Sequence, residues 1–149
     1  MNRKIEIFSF EESKNIIAEG LMEEDFFKEA LNNRRILFCY GSTNSNILSK
    51  LEIEHGYEEY MAGKIKNYKF DVTPGEEREK IILLEKSKVR RMEFKEAVEN
   101  LQEGDLFLKG GNILFSDNSV GVYIYSPTGG TVSVVGGLLG RGIKIISPI

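Results

Sequence analysis

The residues best suited to chemistry are a lysine and an asparagine that flank two glycines directly after an apolar run. Asp105-Leu106-Phe107-Leu108 leads into Lys109-Gly110-Gly111-Asn112. A lysine there would place an ammonium at the edge of a sheet, where the glycines let a ligand approach the backbone closely. The ammonium could pair with an anion, or transfer a proton if burial lowers its pKa. The alternative interpretation is a solvated loop lysine.

Two further apolar runs end in turns of the same kind. Arg35-Ile36-Leu37-Phe38-Cys39-Tyr40 leads into Gly41-Ser42-Thr43-Asn44, and Val120-Gly121-Val122-Tyr123-Ile124-Tyr125 leads through Ser126-Pro127 into Thr128-Gly129-Gly130-Thr131. Such turns either cap a helix or hold an anion with backbone N–H groups. Ligands of α/β sheets bind beyond the carboxyl ends of the strands. We therefore expect the three turns to meet in one pocket for a small anionic ligand.

Catalytic groups are less evident. Asp105 and Asp117 flank the lysine turn and are the nearby carboxylates that could act as bases beside Lys109, although neither has a spacing specific to a known reaction. His55 is interpreted as a surface histidine, and we recognise no Ser–His–Asp or Cys–His arrangement. No residues have the spacing of metal ligands, so neither a metal nor a cofactor is predicted.

Composition limits the class of protein. The chain has 149 residues, a net charge of −3 and one cysteine. We expect a single α/β domain over 1–149, with 1–33 forming a helical segment packed on it. An acidic chain does not favour nucleic-acid binding. Apolar stretches fall short of the roughly 20 residues that span a bilayer. We therefore expect a cytoplasmic protein without a membrane partner, in which Cys39 is a buried structural thiol.

The hydrophobic pattern alternates between strands and helices. It predicts strands at 36–40, 80–85, 105–108, 120–125 and 143–146, with amphipathic helices within 11–33, at 45–51, at 92–101 and at 131–139. Alternation of this kind is typical of an α/β fold with a mostly parallel sheet. The predicted architecture is three-layer and Rossmann-like, with helices flanking the sheet.

The first two turns also carry a family resemblance. Phe38-Cys39-Tyr40-Gly41-Ser42-Thr43-Asn44 resembles the first glycine loop of the superfamily of ribose-5-phosphate isomerase A, CoA-transferases and DeoR-type sugar sensors, and Leu108-Lys109-Gly110-Gly111-Asn112 resembles the Lys-Gly-Gly loop of the isomerases. In those enzymes the first loop cradles the substrate phosphate and the lysine lies at the sugar. A group of bacterial and archaeal proteins without an established activity shares these loops and a Pro-Thr-Gly-Gly-Thr turn.

The resemblance implies a pocket more firmly than a reaction. The isomerases have an Asp-Gly-Ala-Asp segment before the lysine loop, where this chain keeps only Asp105, and a catalytic glutamate after it, where this chain has Ser116-Asp117-Asn118-Ser119. We therefore expect a module that binds a phosphorylated or CoA-like metabolite. The alternatives are an isomerase-like or acyl-transfer enzyme that uses Lys109, and a non-catalytic oligomeric scaffold. We expect a homo-oligomer.

Overall fold

The protein is a mixed α/β structure built around one five-stranded sheet. The computed structural model describes residues 5–66, 68–124 and 129–149. Within them the helices are α1 (Phe10–Glu23), α2 (Asp25–Asn33), α3 (Ser42–Lys50), α4 (Phe94–Asn100) and α5 (Val132–Gly140), with a 3₁₀ turn at Gly75–Glu77. The strands are β1 (Arg35–Phe38), β2 (Gly63–Lys66), β3 (Lys69–Val72), β4 (Ile81–Glu85), β5 (Lys88–Met92), β6 (Leu106–Leu108), β7 (Ile113–Leu114), β8 (Val120–Gly121) and β9 (Lys144–Ile146).

The main sheet has the strand order β5-β4-β1-β6-β9. Strands β1, β6 and β9 are parallel, whereas β4 runs antiparallel to β1 and to β5. The prediction of a mostly parallel sheet is therefore wrong. A two-residue hairpin at Lys86 and Ser87, whose φ angles of 48° and 64° suit the twist of antiparallel strands, accounts for the β4–β5 pairing. The antiparallel pairing of β4 with β1 joins strands that are far apart in the sequence. Sequence analysis missed β5 because its lysines and arginines do not form an apolar run.

The core lies on both faces of this sheet because successive strand side chains point to opposite sides. Ile36 and Phe38 of β1 belong to a cluster with residues of α1, α2 and α3. Leu37 and Cys39 belong to a second cluster, with residues of α4 and α5. Cys39 is buried, as predicted, and its burial raises the pKa of the thiol, which keeps it neutral. Within the described residues, no helix has the length and apolar character to cross a membrane.

Two small hairpins stand apart from the main sheet. Strand β2 pairs with β3, and β7 pairs with β8. The predicted strand at 120–125 is therefore wrong in extent, and β8 lies outside the main sheet. Strand β8 ends at Gly121 and pairs with β7, which begins only four residues after Lys109. Residues 122–124 are not in a strand, and Tyr125 lies outside the described residues.

Tyr60 closes the sheet at the edge where β1, β6 and β9 end, which we call the carboxyl edge. Its hydroxyl donates a hydrogen bond to the Phe38 carbonyl (2.7 Å) and accepts one from the Ile82 N–H (3.0 Å). Its carbonyl accepts a bond from the Gly41 N–H (3.0 Å). One buried tyrosine thus ties β1, β4 and the turn before α3 together.

Candidate functional site at the carboxyl edge

The first two predicted turns lie side by side at the carboxyl edge. Gly41 precedes α3 after β1, and Lys109 follows β6, the parallel neighbour of β1. A Cβ built on Gly110 would lie 3.5 Å from Thr43 Oγ1. The lysine loop is therefore in contact with the first turn of α3, as the sequence predicted for these two turns.

The side chain of Asn44 holds the ends of β1 and β6 together beneath these two turns. Its side-chain amide donates hydrogen bonds to the carbonyls of Cys39 (2.8 Å) and Leu108 (2.9 Å), so it joins the ends of β1 and β6. The residue is only 1% exposed, and its Oδ1 atom is buried without a hydrogen-bond partner among the described residues. A buried acceptor in this condition costs about 1–3 kcal/mol. Asn44 thus positions the turns and leaves one acceptor for a further donor.

The start of α3 presents backbone donors. The Ser45 N–H makes the first helical hydrogen bond, to the Gly41 carbonyl (2.9 Å), and no side chain caps the helix. The N–H groups of Ser42, Thr43 and Asn44 therefore have no acceptor among the described residues. These groups and the helix dipole favour an anion at this end of α3.

Gly41 makes this turn possible. Its φ of 153° and ψ of 150° lie in a region that essentially only glycine adopts. We expect Gly41→Ala to lower the free energy of unfolding by about 1–3 kcal/mol, measured by urea denaturation. The matched control is Gly136→Ala on the open surface of α5, which should gain about 0.5–1 kcal/mol. Equal effects at the two glycines would show that the Gly41 conformation is not strained for alanine.

Lys109 is the half-buried cation of this edge. Its ammonium donates a long hydrogen bond of 3.2 Å to the Gly110 carbonyl. No carboxylate lies within 4.0 Å of it among the described residues. Desolvation lowers the pKa of Lys109, an effect that the nearby Cys39 partly offsets. The chain therefore holds a poorly solvated positive charge at the carboxyl edge, near Cys39.

Gly111 and Asn112 connect the lysine loop to the β7–β8 hairpin. A Cβ on Gly111 would lie 2.3 Å from Val120 Cγ1, so the hairpin packs directly on this glycine. The Asn112 N–H donates to the Gly121 carbonyl (2.8 Å), and its side-chain oxygen accepts from the Tyr123 N–H (2.9 Å). Asn112 thus anchors the hairpin, and its remaining side-chain NH₂ group is the part open to a ligand.

The third predicted turn is only partly described. Thr128 lies outside the described residues, whereas Gly129, Gly130 and Thr131 lead into α5. Because α5 runs back to the start of β9, its first turn lies toward the carboxyl edge, on the sheet face opposite α3. The hydrogen bonds described for Gly130 and Thr131 stay within the first turn of α5. Contact between this turn and the other two stays a prediction.

The two candidate carboxylates lie away from Lys109. Asp105 precedes β6 and Lys109 follows it, so their Cα atoms are separated by about 13 Å at the usual strand rise. Asp105 is buried at the opposite edge, where it accepts hydrogen bonds from the Arg35 and Gln102 N–H groups. Asp117 is exposed in the β7–β8 turn, and hydrogen bonds from Ser119 lower the pKa of its carboxyl.

A serine–histidine pair was missed by sequence analysis. His55 is half-buried rather than a surface residue, and its Nε2 lies 2.6 Å from Ser45 Oγ. Its Nδ1 lies 2.9 Å from the Ile53 carbonyl, which favours the Nδ1–H tautomer and an Oγ–H donor on Ser45. Ser45 has no exposed surface, so the pair supports the loop after α3 and is closed to a substrate. Ten residues separate the two, and no local motif marks them.

Of the predicted site residues, only the candidate base Asp105 lines either of two described cavities, and none of the predicted ligand-binding residues does. A groove of about 620 Å³ lies between α2, residues 51–54 and the β4–β5 hairpin, with Leu84 and Arg91 among its lining. A smaller one of about 220 Å³ lies beside Arg35 and Asp105. The described residues contain no group of three His, Cys, Asp or Glu side chains able to hold a metal.

Comparisons with family models, with curated proteins and with solved structures found no match for this chain. The resemblance to the ribose-5-phosphate isomerase A superfamily therefore stays a prediction.

Proposed function

We propose that the protein binds a small anionic metabolite, a phosphorylated or CoA-like compound, at the carboxyl edge between Lys109 and the first turn of α3. The observation that carries this proposal is the half-buried ammonium of Lys109, which has no carboxylate within 4.0 Å among the described residues. Burying a charge without a counter-charge costs free energy, and a bound anion removes that cost.

The surroundings of Lys109 support an anion as the ligand. Thr43 is in contact with the lysine loop, and the N–H groups of the first turn of α3 are uncapped. A phosphate or carboxylate could accept hydrogen bonds from these groups while pairing with the ammonium. The unpartnered Oδ1 of Asn44 is buried, so an enclosed water molecule, and not the ligand itself, would be its donor.

The proposal includes the three-layer, Rossmann-like arrangement and the link to the isomerase superfamily. The two core clusters on opposite faces of the sheet support the three-layer arrangement. The contact between the two loops that carry the resemblance supports the link to the superfamily. A reaction is not proposed, because Asp105 serves the opposite edge of the sheet and Asp117 bonds to Ser119.

Titration calorimetry with inorganic phosphate, ribose 5-phosphate and coenzyme A tests the proposal. We expect at least one of them to bind, and Lys109→Met to weaken that binding by at least about tenfold, since hydrogen bonds to charged groups contribute about 1.5–3 kcal/mol. The matched control is Lys95→Met, which removes an exposed lysine on α4 and should leave binding unchanged. Binding that Lys109→Met leaves intact would contradict the site, and no binding by any of the three would contradict the ligand class.

A further inference from the structure

The main sheet has two outer strands, β5 and β9, which differ in the charge that protects their edges. Three exposed cations lie on β5: Lys88, Arg90 and Arg91. Charges of this kind keep the open edge of a sheet from pairing with a copy of itself. Strand β9 carries a single cation, Lys144, which is followed by the half-buried Ile145 and Ile146. The edge of β9 is therefore the one that a copy of the same strand can approach.

The outer edge of β9 presents unpaired backbone groups. The Lys144 N–H donates to the carbonyl just before β6 (3.0 Å), so the Ile143 carbonyl, across the same trans peptide unit, points away from the sheet. The Ile146 carbonyl accepts from the N–H just after β6 (2.9 Å), so the Ser147 N–H also points away. Ile145 lies between them, and backbone alternation turns both its N–H and its carbonyl outward. None of these outward groups has a partner among the described residues.

Helix α5 adds an apolar surface beside this edge. It packs on β9, whereas α4 covers β4 on the same face of the sheet. Leu138 faces the sheet, and the Arg141 guanidinium, on one flank of α5, donates to carbonyls at the end of α4 (2.9 and 3.1 Å). The helical repeat places Val132, Val135 and Leu139 on the other flank, away from α4 and beside the open edge of β9. Val132 is 41% exposed and Leu139 is 61% exposed. We call these three residues the outer flank of α5.

We propose that the β9 edge and the outer flank of α5 bind the same surface of a second copy of this chain, forming a two-fold symmetric dimer with one continuous sheet. A two-fold axis beside Ile145 runs the two β9 strands antiparallel. The Ile145 residues of the two copies then exchange N–H···O hydrogen bonds, and the Ser147 N–H of each copy donates to the Ile143 carbonyl of the other. Donor and acceptor lie two residues on either side of Ile145, so the edge matches its own two-fold image, as such a contact requires.

The side chains suit this arrangement. Lys144 of one copy lies opposite Ile146 of the other, so like charges do not face each other. The outer flanks of two α5 helices lie on the same face of the joined sheet and meet across the axis, where Val132 and Leu139 lose their exposure to water. The same operation on β5 would bring cations opposite cations. The second copy is therefore assigned to the β9 edge.

Sedimentation equilibrium over a wide range of protein concentration tests this inference. We expect the unmodified chain to reach twice its mass of 16.9 kDa. Leu139→Asp should weaken the dimer by at least about tenfold, because the two-fold axis brings two carboxylates into an apolar contact. The matched control is Ile16→Asp, which changes an exposed apolar residue of α1, on the opposite face of the sheet, and should leave the dimer intact. A chain that stays monomeric, or a dimer that Leu139→Asp does not weaken, overturns the proposal.

The strand pairing has a test of its own. Ser147→Pro removes an outward N–H and no hydrogen bond of the described fold, so it should weaken the dimer by about fivefold or more, whereas Ser147→Ala should not. Hydrogen–deuterium exchange followed by NMR should show the Ile145 amide protected in the dimer and exchanging rapidly in the Leu139→Asp monomer. A dimer whose Ile145 amide exchanges as fast as it does in that variant pairs through another surface and contradicts the inference. Lys109→Met keeps its backbone N–H, so it should remain dimeric while it binds phosphate more weakly, which separates this inference from the anion site.

Discussion

Lys109→Met is expected to make the unliganded protein more stable while it weakens anion binding by at least about tenfold. The side chain keeps its length and its apolar contacts but loses a half-buried charge that has no carboxylate partner among the described residues. We expect a gain of about 0.5–2 kcal/mol in the free energy of unfolding at pH 7, the range typical of single stabilising substitutions. Urea denaturation in a buffer free of phosphate measures it.

The gain should depend on pH in a defined direction. Burial lowers the pKa of Lys109 in the folded state below its ordinary value of 10.5. At pH values between the lowered pKa of the folded state and 10.5, Lys109 is protonated in the unfolded chain but not in the folded protein. The free energy of unfolding therefore rises with pH in this range. The advantage of Lys109→Met over the unmodified protein should therefore shrink toward pH 10.5. The pKa values of Cys39 and Tyr60 are raised, so both proteins lose stability at high pH, and only their difference reports on Lys109.

The effect of added phosphate on stability connects the Lys109→Met variant with the proposed anion binding. A ligand that binds only the folded state stabilises it by RT ln(1 + [L]/Kd). Phosphate should therefore stabilise the unmodified protein at pH 7 more than it stabilises Lys109→Met, which narrows the gap between them. Lys95→Met, on an exposed part of α4, should lie within about 0.5 kcal/mol of the unmodified protein at every pH. A less stable Lys109→Met would mean that the ammonium has a stabilising partner in the fold.

Sequence patterns predicted the parts of the fold that local chemistry determines. The predicted strands at 36–40, 105–108 and 143–146 overlap β1, β6 and β9, the three parallel strands, and the glycine turns after the first two lie side by side. Apolar side chains on both faces of a strand require cover on both sides, and that requirement is visible in one sequence. The contact between the turns follows because parallel neighbours end at the same edge.

Contacts between residues that are distant in the sequence could not be predicted from sequence patterns. Strand β5 carries charges because its outer edge is unpaired, so it lacks the apolar run that marks a central strand. Strand β8 has the composition of a core strand but pairs with β7, because the hairpin closes within a few residues while the main sheet is many residues away. The Ser45–His55 pair depends on how the loop after α3 folds back, which no local motif encodes.

Asp105→Ala is expected to cost about 3–5 kcal/mol of stability, the usual loss when one partner of a buried ion pair is removed. Asp105 is 5% exposed, and its two oxygens accept hydrogen bonds from the Arg35 N–H (2.9 Å) and the Gln102 N–H (2.7 Å). The Arg35 guanidinium lies 3.8 Å from the carboxylate. Removal leaves two backbone donors and part of a cation without their acceptor, at the start of the central strand pair. Urea denaturation measures the loss.

A second variant of Asp105 distinguishes a structural role of this residue from a catalytic one. Asp105→Asn keeps the shape but turns an NH₂ group toward one of the two N–H donors, so it should also cost about 1.5–3 kcal/mol. Asp117→Asn, on the exposed turn, should stay within about 0.5 kcal/mol. Because Asp105 lies at the edge opposite Lys109, the folded Asp105→Asn protein should bind phosphate with an unchanged Kd. A variant of normal stability with weakened phosphate binding would place Asp105 in the ligand site and contradict its role as the anchor of β1 and β6.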